Sequence, residues 1–139
     1  MNQVEKLWEV IKKEQEILLS TSANDRVTMR TVSPVYYQDA ILIFTSPESL
    51  KYQQLKANPN CCIAVNSYII EAKAAFLGHT MLEENTSLRN VYSQKYNDAF
   101  DEGIEFGGRA AEFILLKPIN VKGWNFENNI PISPFEISF

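Results

Sequence analysis

Apolar residues recur along the start of the chain with the period of a helix. Val4, Leu7, Trp8 and Ile11 follow the i, i+3, i+4, i+7 spacing of an amphipathic helix. We therefore predict a helix over residues 2–16. A similar spacing from Leu88 onward predicts a second main helix over residues 86–100.

The segments between these helices are short, apolar and rich in β-branched and aromatic residues, which is typical of strands. Pro34 inside one of them predicts a bulge or an edge position. The predicted strands cover residues 17–22, 26–37, 40–45, 61–66, 69–83 (with Gly78 as a bend or a point of close approach) and 112–116, with a seventh candidate at 119–126.

The first three predicted strands are joined by short polar turns, which favours an antiparallel meander. The last residues, 127–139, contain Pro131 and Pro134 and show no regular pattern, although their apolar side chains need a place to dock. About six strands with two main helices and one short helix indicate an α+β, mainly β domain built on a small barrel. At 139 residues, the chain is expected to form one domain over residues 1–139.

Charge and composition narrow the function classes. With 13 Lys and Arg against 17 Asp and Glu, the net charge is −4 and no basic block exists, so neither nucleic acid nor a membrane is a predicted partner. No apolar run approaches the roughly 20 residues of a membrane span, and the N-terminus does not read as a signal peptide. Cys61 and Cys62 are adjacent and poorly placed to bridge each other, which favours free thiols in a reducing cytoplasm.

A short helix is predicted at residues 47–58, directly after a strand. In the segment FTSPESLKYQQLKANPN, Ser46 is the predicted N-cap, Pro47 suits the first turn, and Glu48 suits the positive end of the helix dipole.

Basic and hydroxyl residues gather at this turn. Lys51 lies in the first turn of the short helix, and Thr45, Ser46 and Ser49 supply hydroxyls. Arg30 lies in the middle of a predicted strand, and a hairpin would bring it near the same turn. Two cations, hydroxyls and a helix N-terminus together are suited to a phosphate group. From the residues alone, Arg30 pairing with a carboxylate across the sheet and Lys51 lying exposed on its helix remain open alternatives.

The order of several weak motifs resembles the pyridoxamine 5′-phosphate oxidase-like, FMN-binding split-barrel proteins, especially the short bacterial general-stress type. The resemblance covers nearly the whole chain. It is carried by ILLSTS (17–22), Arg30-Thr31-Val32, FTSPES (44–49), Ser49-Leu50-Lys51, Leu55 followed by Asn58-Pro59, and Gly78.

This resemblance implies a six-stranded antiparallel Greek-key split barrel that forms a homodimer with FMN at the subunit interface. It implies that Arg30 and Lys51 hold the FMN phosphate. It also implies roles along the ribityl chain and flavin ring for a second group of residues: Thr31, Val32, Thr45, Ser46 and Ser49. Backbone groups of Thr31 and Val32 would serve the edge of the ring.

Three further residues are open to two interpretations. Trp124 would cover the flavin from the partner subunit, or would be a core or interface residue. His79 is a structural residue or, in the alternative, a proton donor or heme ligand. Arg109 reaches a substrate or belongs to a solvated loop.

The predicted function is an FMN-dependent oxidoreductase with a small-molecule substrate. The alternative is a non-catalytic protein that binds flavin, heme or a deazaflavin for storage or stress sensing, and a structural dimer with an empty barrel is a third. No Lys or Arg follows Lys122, whereas the oxidase uses basic residues near its C-terminus for pyridoxal phosphate, so vitamin B6 phosphate is not the predicted substrate.

Overall fold

The computed structural model describes residues 1–97, 100 and 110–139, which form one antiparallel sheet with three α-helices. The helices are α1 (Gln3–Lys13), α2 (Leu50–Ala57) and α3 (Thr86–Lys95). The strands are β1 (Ile17–Ala23), β2 (Arg26–Val32), β3 (Val35–Tyr37), β4 (Ala40–Thr45), β5 (Asn60–Val65), β6 (Tyr68–His79), β7 (Glu112–Glu127) and β8 (Ile130–Ser138). The mainly β, α+β prediction is confirmed, but the sheet has eight strands rather than about six.

The predicted meander is wrong. The sheet order is β2-β1-β5-β6-β7-β4-β3, with β8 added to β7. β1 pairs with β2 and β5, while β4 pairs with β3 and β7. Short turns therefore identified the hairpins correctly, but the neighbours on the other side of each hairpin come from distant parts of the chain.

Pro34 was predicted at a bulge or an edge, and it lies between two strands that each end the sheet order rather than in a bulge within one strand. The predicted strand 26–37 divides at Ser33 and Pro34 into β2 and β3, which lie at opposite ends of the sheet order. Because only these two residues connect the ends, the sheet must curl until its first and last strands come close. This curvature accounts for the barrel character that the sequence predicted.

The C-terminal region is more regular than expected. The predicted strands at 112–116 and 119–126 form the single strand β7, in which Pro118 coincides with a shift in the register of pairing with β6. The segment 127–139 was predicted to be irregular but forms β8. Asn128 and Asn129 adopt positive φ angles of 51° and 64°, which suit the tight turn of a β7–β8 hairpin.

Two layers of apolar side chains hold the sheet. On one face, Leu7, Trp8 and Ile11 of α1 are buried in the larger cluster. On the other face, α3 covers a smaller cluster that includes Leu42 and Tyr92. β4 is buried on both faces, which explains its unbroken apolar run.

Other predicted bounds differ modestly. α3 ends at Lys95 rather than at residue 100, and β6 ends at His79 rather than at residue 83. The bend predicted at Gly78 is confirmed, since its φ of 84° coincides with a shift in the β6–β7 register. None of the described helices is long and apolar enough to cross a membrane.

Candidate functional site

The helix that carries Lys51 begins later than predicted. Ser49, not Ser46, is the N-cap of α2, and its Oγ accepts a hydrogen bond from the N–H of Tyr52 at 3.3 Å. The N–H of Ser49 bonds to the carbonyl of Ser46 at 3.0 Å, so a separate turn precedes the helix and Pro47 lies within that turn. Lys51 is consequently the second residue of α2.

The hydroxyl groups of this turn bond to one another and to the backbone of the same turn. Thr45 Oγ1 lies 2.9 Å from Ser49 Oγ, and Ser49 Oγ donates to the carbonyl of Ser46 at 2.8 Å. Ser46 Oγ accepts from the N–H of Glu48 at 3.2 Å. These bonds fix the passage from β4 to α2 and so place Lys51.

Arg30 lies on β2 with its side chain toward the interior, on the same face as the buried Val32. Nη1 donates to Thr21 Oγ1 at 2.7 Å and to the carbonyl of Leu19 at 3.3 Å, and Nη2 donates to Thr28 Oγ1. The guanidinium is therefore held by neutral groups. The alternative in which a carboxylate across the sheet pairs with Arg30 finds no support among the described residues.

A buried glutamine completes this polar cluster. Gln54 Oε1 accepts from Thr21 Oγ1 and from Thr28 Oγ1, each at 2.6 Å. Gln54 Nε2 donates to the carbonyl of Arg26 at 3.2 Å. Sequence reasoning missed Gln54, Thr21 and Thr28. The two-residue turn between β1 and β2 places Thr21 opposite Thr28, so this turn was the signal that could have identified the two threonines as neighbours.

Arg30 and Lys51 lie close enough to influence each other. The pKa of Lys51 is lowered, first by burial and second by the positive charge of Arg30. Burial also lowers the pKa of Arg30. Within the described part of the chain, the one ion pair joins Lys12 to Glu9. Two neighbouring, partly buried cations that lack a carboxylate partner there have the charge that an anion would balance.

Thr31 and Val32 end the strand that carries Arg30. Thr31 is exposed on the outer face, whereas Val32 points into the core. β2 pairs only with β1 among the described strands, so one edge of its backbone has no strand partner there. That edge offers N–H and C=O groups to a ligand.

Trp124 is not brought to Arg30 within one chain. It lies on β7 opposite Pro134, and β1, β5 and β6 separate β7 from β2 in the sheet. Its side chain is 49% exposed, so it is not a core residue of the single chain.

The remaining candidates add little to this site. His79 Nδ1 accepts from the N–H of Met81 at 3.0 Å. Arg109 lies outside the described residues. Cys61 is buried and Cys62 only partly so, as expected for neighbours on opposite faces of a strand, and burial raises the pKa of Cys61 to about 12.

Comparison with known proteins gives structural neighbours only. No protein-family model matches the sequence. No curated protein matches it either.

Several solved structures share the architecture. A Listeria innocua protein proposed to be a pyridoxamine 5′-phosphate oxidase aligns with a TM-score of 0.66 at 15% identity, over 86% of this chain and 96% of that one. General stress protein 26 from Bacillus anthracis gives 0.68 at 17% identity, over 87% and 92%. A heme storage protein from Vibrio cholerae gives 0.68 at 15% identity, over 85% and 91%. The chain therefore has the fold of the pyridoxamine 5′-phosphate oxidase-like split barrels, as the motifs predicted.

Proposed function

We propose that the chain is an FMN-dependent oxidoreductase that acts on a small molecule. The observation that carries this proposal is the pair of Arg30 and Lys51, which are partly buried, close enough to lower the pKa of Lys51, and without a carboxylate partner among the described residues. A phosphate monoester carries close to two negative charges at neutral pH and would balance both cations.

The start of α2 adds donors to these cations. The first N–H groups of a helix have no acceptor within the helix, and the positive end of its dipole favours an anion. Ser49 satisfies the N–H of Tyr52. The N–H groups of Leu50 and Lys51 would therefore remain for the FMN phosphate, and the residues present fit this group.

The remaining residues of the proposed site would contact the parts of FMN beyond its phosphate, which are the ribityl chain and the flavin ring. Successive residues of a strand direct their backbone groups to opposite edges, so the open edge of β2 would offer those of either Thr31 or Val32 to the flavin ring. Thr45 and Ser46 would line the ribityl chain. When bound, FMN would supply the electron transfer. The contribution of the protein is to bind the phosphate, orient the ring and exclude water.

We further propose a homodimer with FMN at its interface. The outer face of the sheet exposes apolar side chains on three strands, β1, β2 and β6: Leu18, Val27, Met29 and Ile69. A second copy of the chain would remove this surface from water. Trp124 of the partner subunit would then be available to cover the flavin, which a single chain does not achieve.

A flavin, heme or deazaflavin binder without turnover is the second candidate. The similarity to the heme storage protein favours it. Heme carries two propionate carboxylates, which would also pair with Arg30 and Lys51, so titration with FMN and with heme distinguishes the two candidates. We further propose a cytoplasmic location, which the free thiols of Cys61 and Cys62 support.

Titration of the purified protein with FMN, followed by absorbance and fluorescence, tests the proposal. Arg30→Ala and Lys51→Ala should each weaken FMN binding by about 1.5–3 kcal/mol, or roughly 10- to 150-fold, because each removes a charged hydrogen-bond donor. Lys56→Ala, an exposed lysine on the same helix, is the control. Unchanged FMN affinity in both site variants would refute the phosphate assignment, and a Soret band with heme would favour the second candidate.

A further inference from the structure

Gln54 lies between the two elements that carry the cations. It belongs to α2, three residues after Lys51, and residues three apart lie on neighbouring parts of a helix surface. Its side chain is only 4% exposed and reaches the β1–β2 hairpin, which carries Arg30. A buried amide of this kind must satisfy its hydrogen-bonding groups locally.

The direction of each hydrogen bond around Gln54 is determined by chemistry. The carbonyl of Arg26 can only accept, so it takes a hydrogen from Gln54 Nε2 at 3.2 Å. Gln54 Oε1 consequently faces the two threonines and accepts from both hydroxyls at 2.6 Å. Each hydroxyl has a single hydrogen, and Gln54 receives it.

This arrangement controls what the threonines offer to Arg30. With their hydrogens directed at Gln54, Thr21 Oγ1 and Thr28 Oγ1 present lone pairs to the guanidinium. Nη1 donates to Thr21 at 2.7 Å and Nη2 donates to Thr28. Two neutral acceptors thus orient the two terminal nitrogens without cancelling the charge of Arg30.

We infer that Gln54 is a positioning residue for phosphate recognition, which orients Arg30 through the Thr21 and Thr28 hydroxyls. This inference rests on the proposed function. It predicts that Gln54 governs the preference for FMN over riboflavin, which lacks the phosphate, without governing the binding of the ring.

The test compares dissociation constants for FMN and riboflavin in the wild type and in Gln54→Met, whose side chain has similar length but no hydrogen-bonding amide. FMN binding should weaken by roughly 3- to 10-fold, the range expected for a lost hydrogen bond of ordinary strength, while riboflavin binding changes less than about 2-fold. The control is Gln53→Met, which alters an exposed glutamine of the same helix and should change neither constant.

Two further variants separate positioning from a general structural role. In an Arg30→Ala background, Gln54→Met should have no additional effect on FMN, because its effect passes through Arg30. Thr28→Val keeps the shape of the side chain but removes one hydroxyl, and it should reproduce the selective loss of FMN affinity. Thr28→Val carries the test if Gln54→Met does not fold.

The outcomes distinguish this inference from the proposed function. Equal loss of FMN and riboflavin affinity in Gln54→Met, or a full effect that persists without Arg30, would overturn the positioning role while leaving the phosphate site intact. A wild type that binds riboflavin as tightly as FMN would overturn the phosphate site and the inference with it.

Discussion

Replacing Lys95 with Met tests how α3 is held against the end of α1 and the segment between β2 and β3. Lys95 Nζ donates to the carbonyls of Ile11 at 2.8 Å, Glu14 at 2.6 Å and Pro34 at 2.7 Å. Burial lowers the pKa of Lys95 to about 8, and the charge of Glu14 opposes this shift. At pH 7 the side chain is therefore mostly an ammonium group with three donors.

The expected loss follows from these three bonds. A hydrogen bond from a charged group contributes about 1.5–3 kcal/mol, but Lys95 is only half-buried and water would replace part of each bond. The burial that lowers the pKa of Lys95 also disfavours the ammonium group in the folded state and offsets part of the gain. We expect Lys95→Met to lower the free energy of unfolding by about 2–4 kcal/mol, a large share of the roughly 5–15 kcal/mol typical of a domain. The stem of the side chain is kept, so the apolar packing changes little.

Urea unfolding at pH 7, followed by circular dichroism, measures this loss. The matched control is Lys13→Met, which removes an exposed positive charge from the last turn of α1 and should stay within about 0.5 kcal/mol of the wild type. An equal m-value in both variants would show that only stability has changed. If the two variants unfold at the same urea concentration, the three carbonyl bonds do not stabilise the fold and the reasoning is refuted.

Three other perturbations have defined outcomes. FMN affinity should fall as the pH rises through the pKa of Lys51, which lies below its ordinary 10.5. Lys51→Arg should keep its affinity to about pH 10, because a guanidinium stays protonated. Parallel pH profiles of the wild type and Lys51→Arg would contradict this prediction. A Cβ at Gly123 would lie 2.5 Å from the Phe135 ring, so Gly123→Ala should lower the free energy of unfolding by about 1–3 kcal/mol, measured with urea. In a Phe135→Ala background this loss should disappear. Ile69→Lys should shift the protein toward the monomer in size-exclusion chromatography, and an unchanged elution volume would argue against the proposed dimer face.

Local signals predicted the elements well because each depends on neighbouring residues. The turns at Asn24-Asp25 and Gln38-Asp39 have positive φ angles at both residues, as tight hairpin turns require. The pairing of β1 with β5 could not be predicted in this way. It joins Leu19 to Ile63 across many intervening residues, and nothing in the local pattern of either strand specifies the other.

Proline was the main source of error in the strands. Pro34 was expected at a bulge or an edge of one strand, 26–37; the edge position is confirmed, but the single strand is two strands at opposite ends of the sheet order. Pro131 and Pro134 argued against a strand, yet both lie in β8, which pairs with β7 alone among the described strands. Proline is tolerated on such an edge because the missing N–H would have no partner there.

The two cations of the proposed site could be singled out from sequence, but the groups that orient Arg30 could not. Arg30 is conspicuous because charged side chains are uncommon in half-buried strands, and Lys51 because it lies in the first turn of a helix, whose positive end favours anions. Gln54 was not predicted to belong to the site, because a glutamine in a short helix is usually exposed to solvent. Only the packing of α2 onto the β1–β2 hairpin shows that it is buried and bonded to both threonines.

The choice of neutral anchors has a consequence for binding. A carboxylate beside Arg30 would orient the guanidinium equally well, but it would neutralise the charge and repel a phosphate. Thr21 and Thr28 orient Arg30 and leave its charge uncompensated within the described residues. In the free protein the two cations also repel each other, which is the second cause of the lowered pKa of Lys51, after burial. A bound dianion relieves this repulsion, which therefore becomes part of the free energy that favours a phosphorylated ligand over its unphosphorylated counterpart.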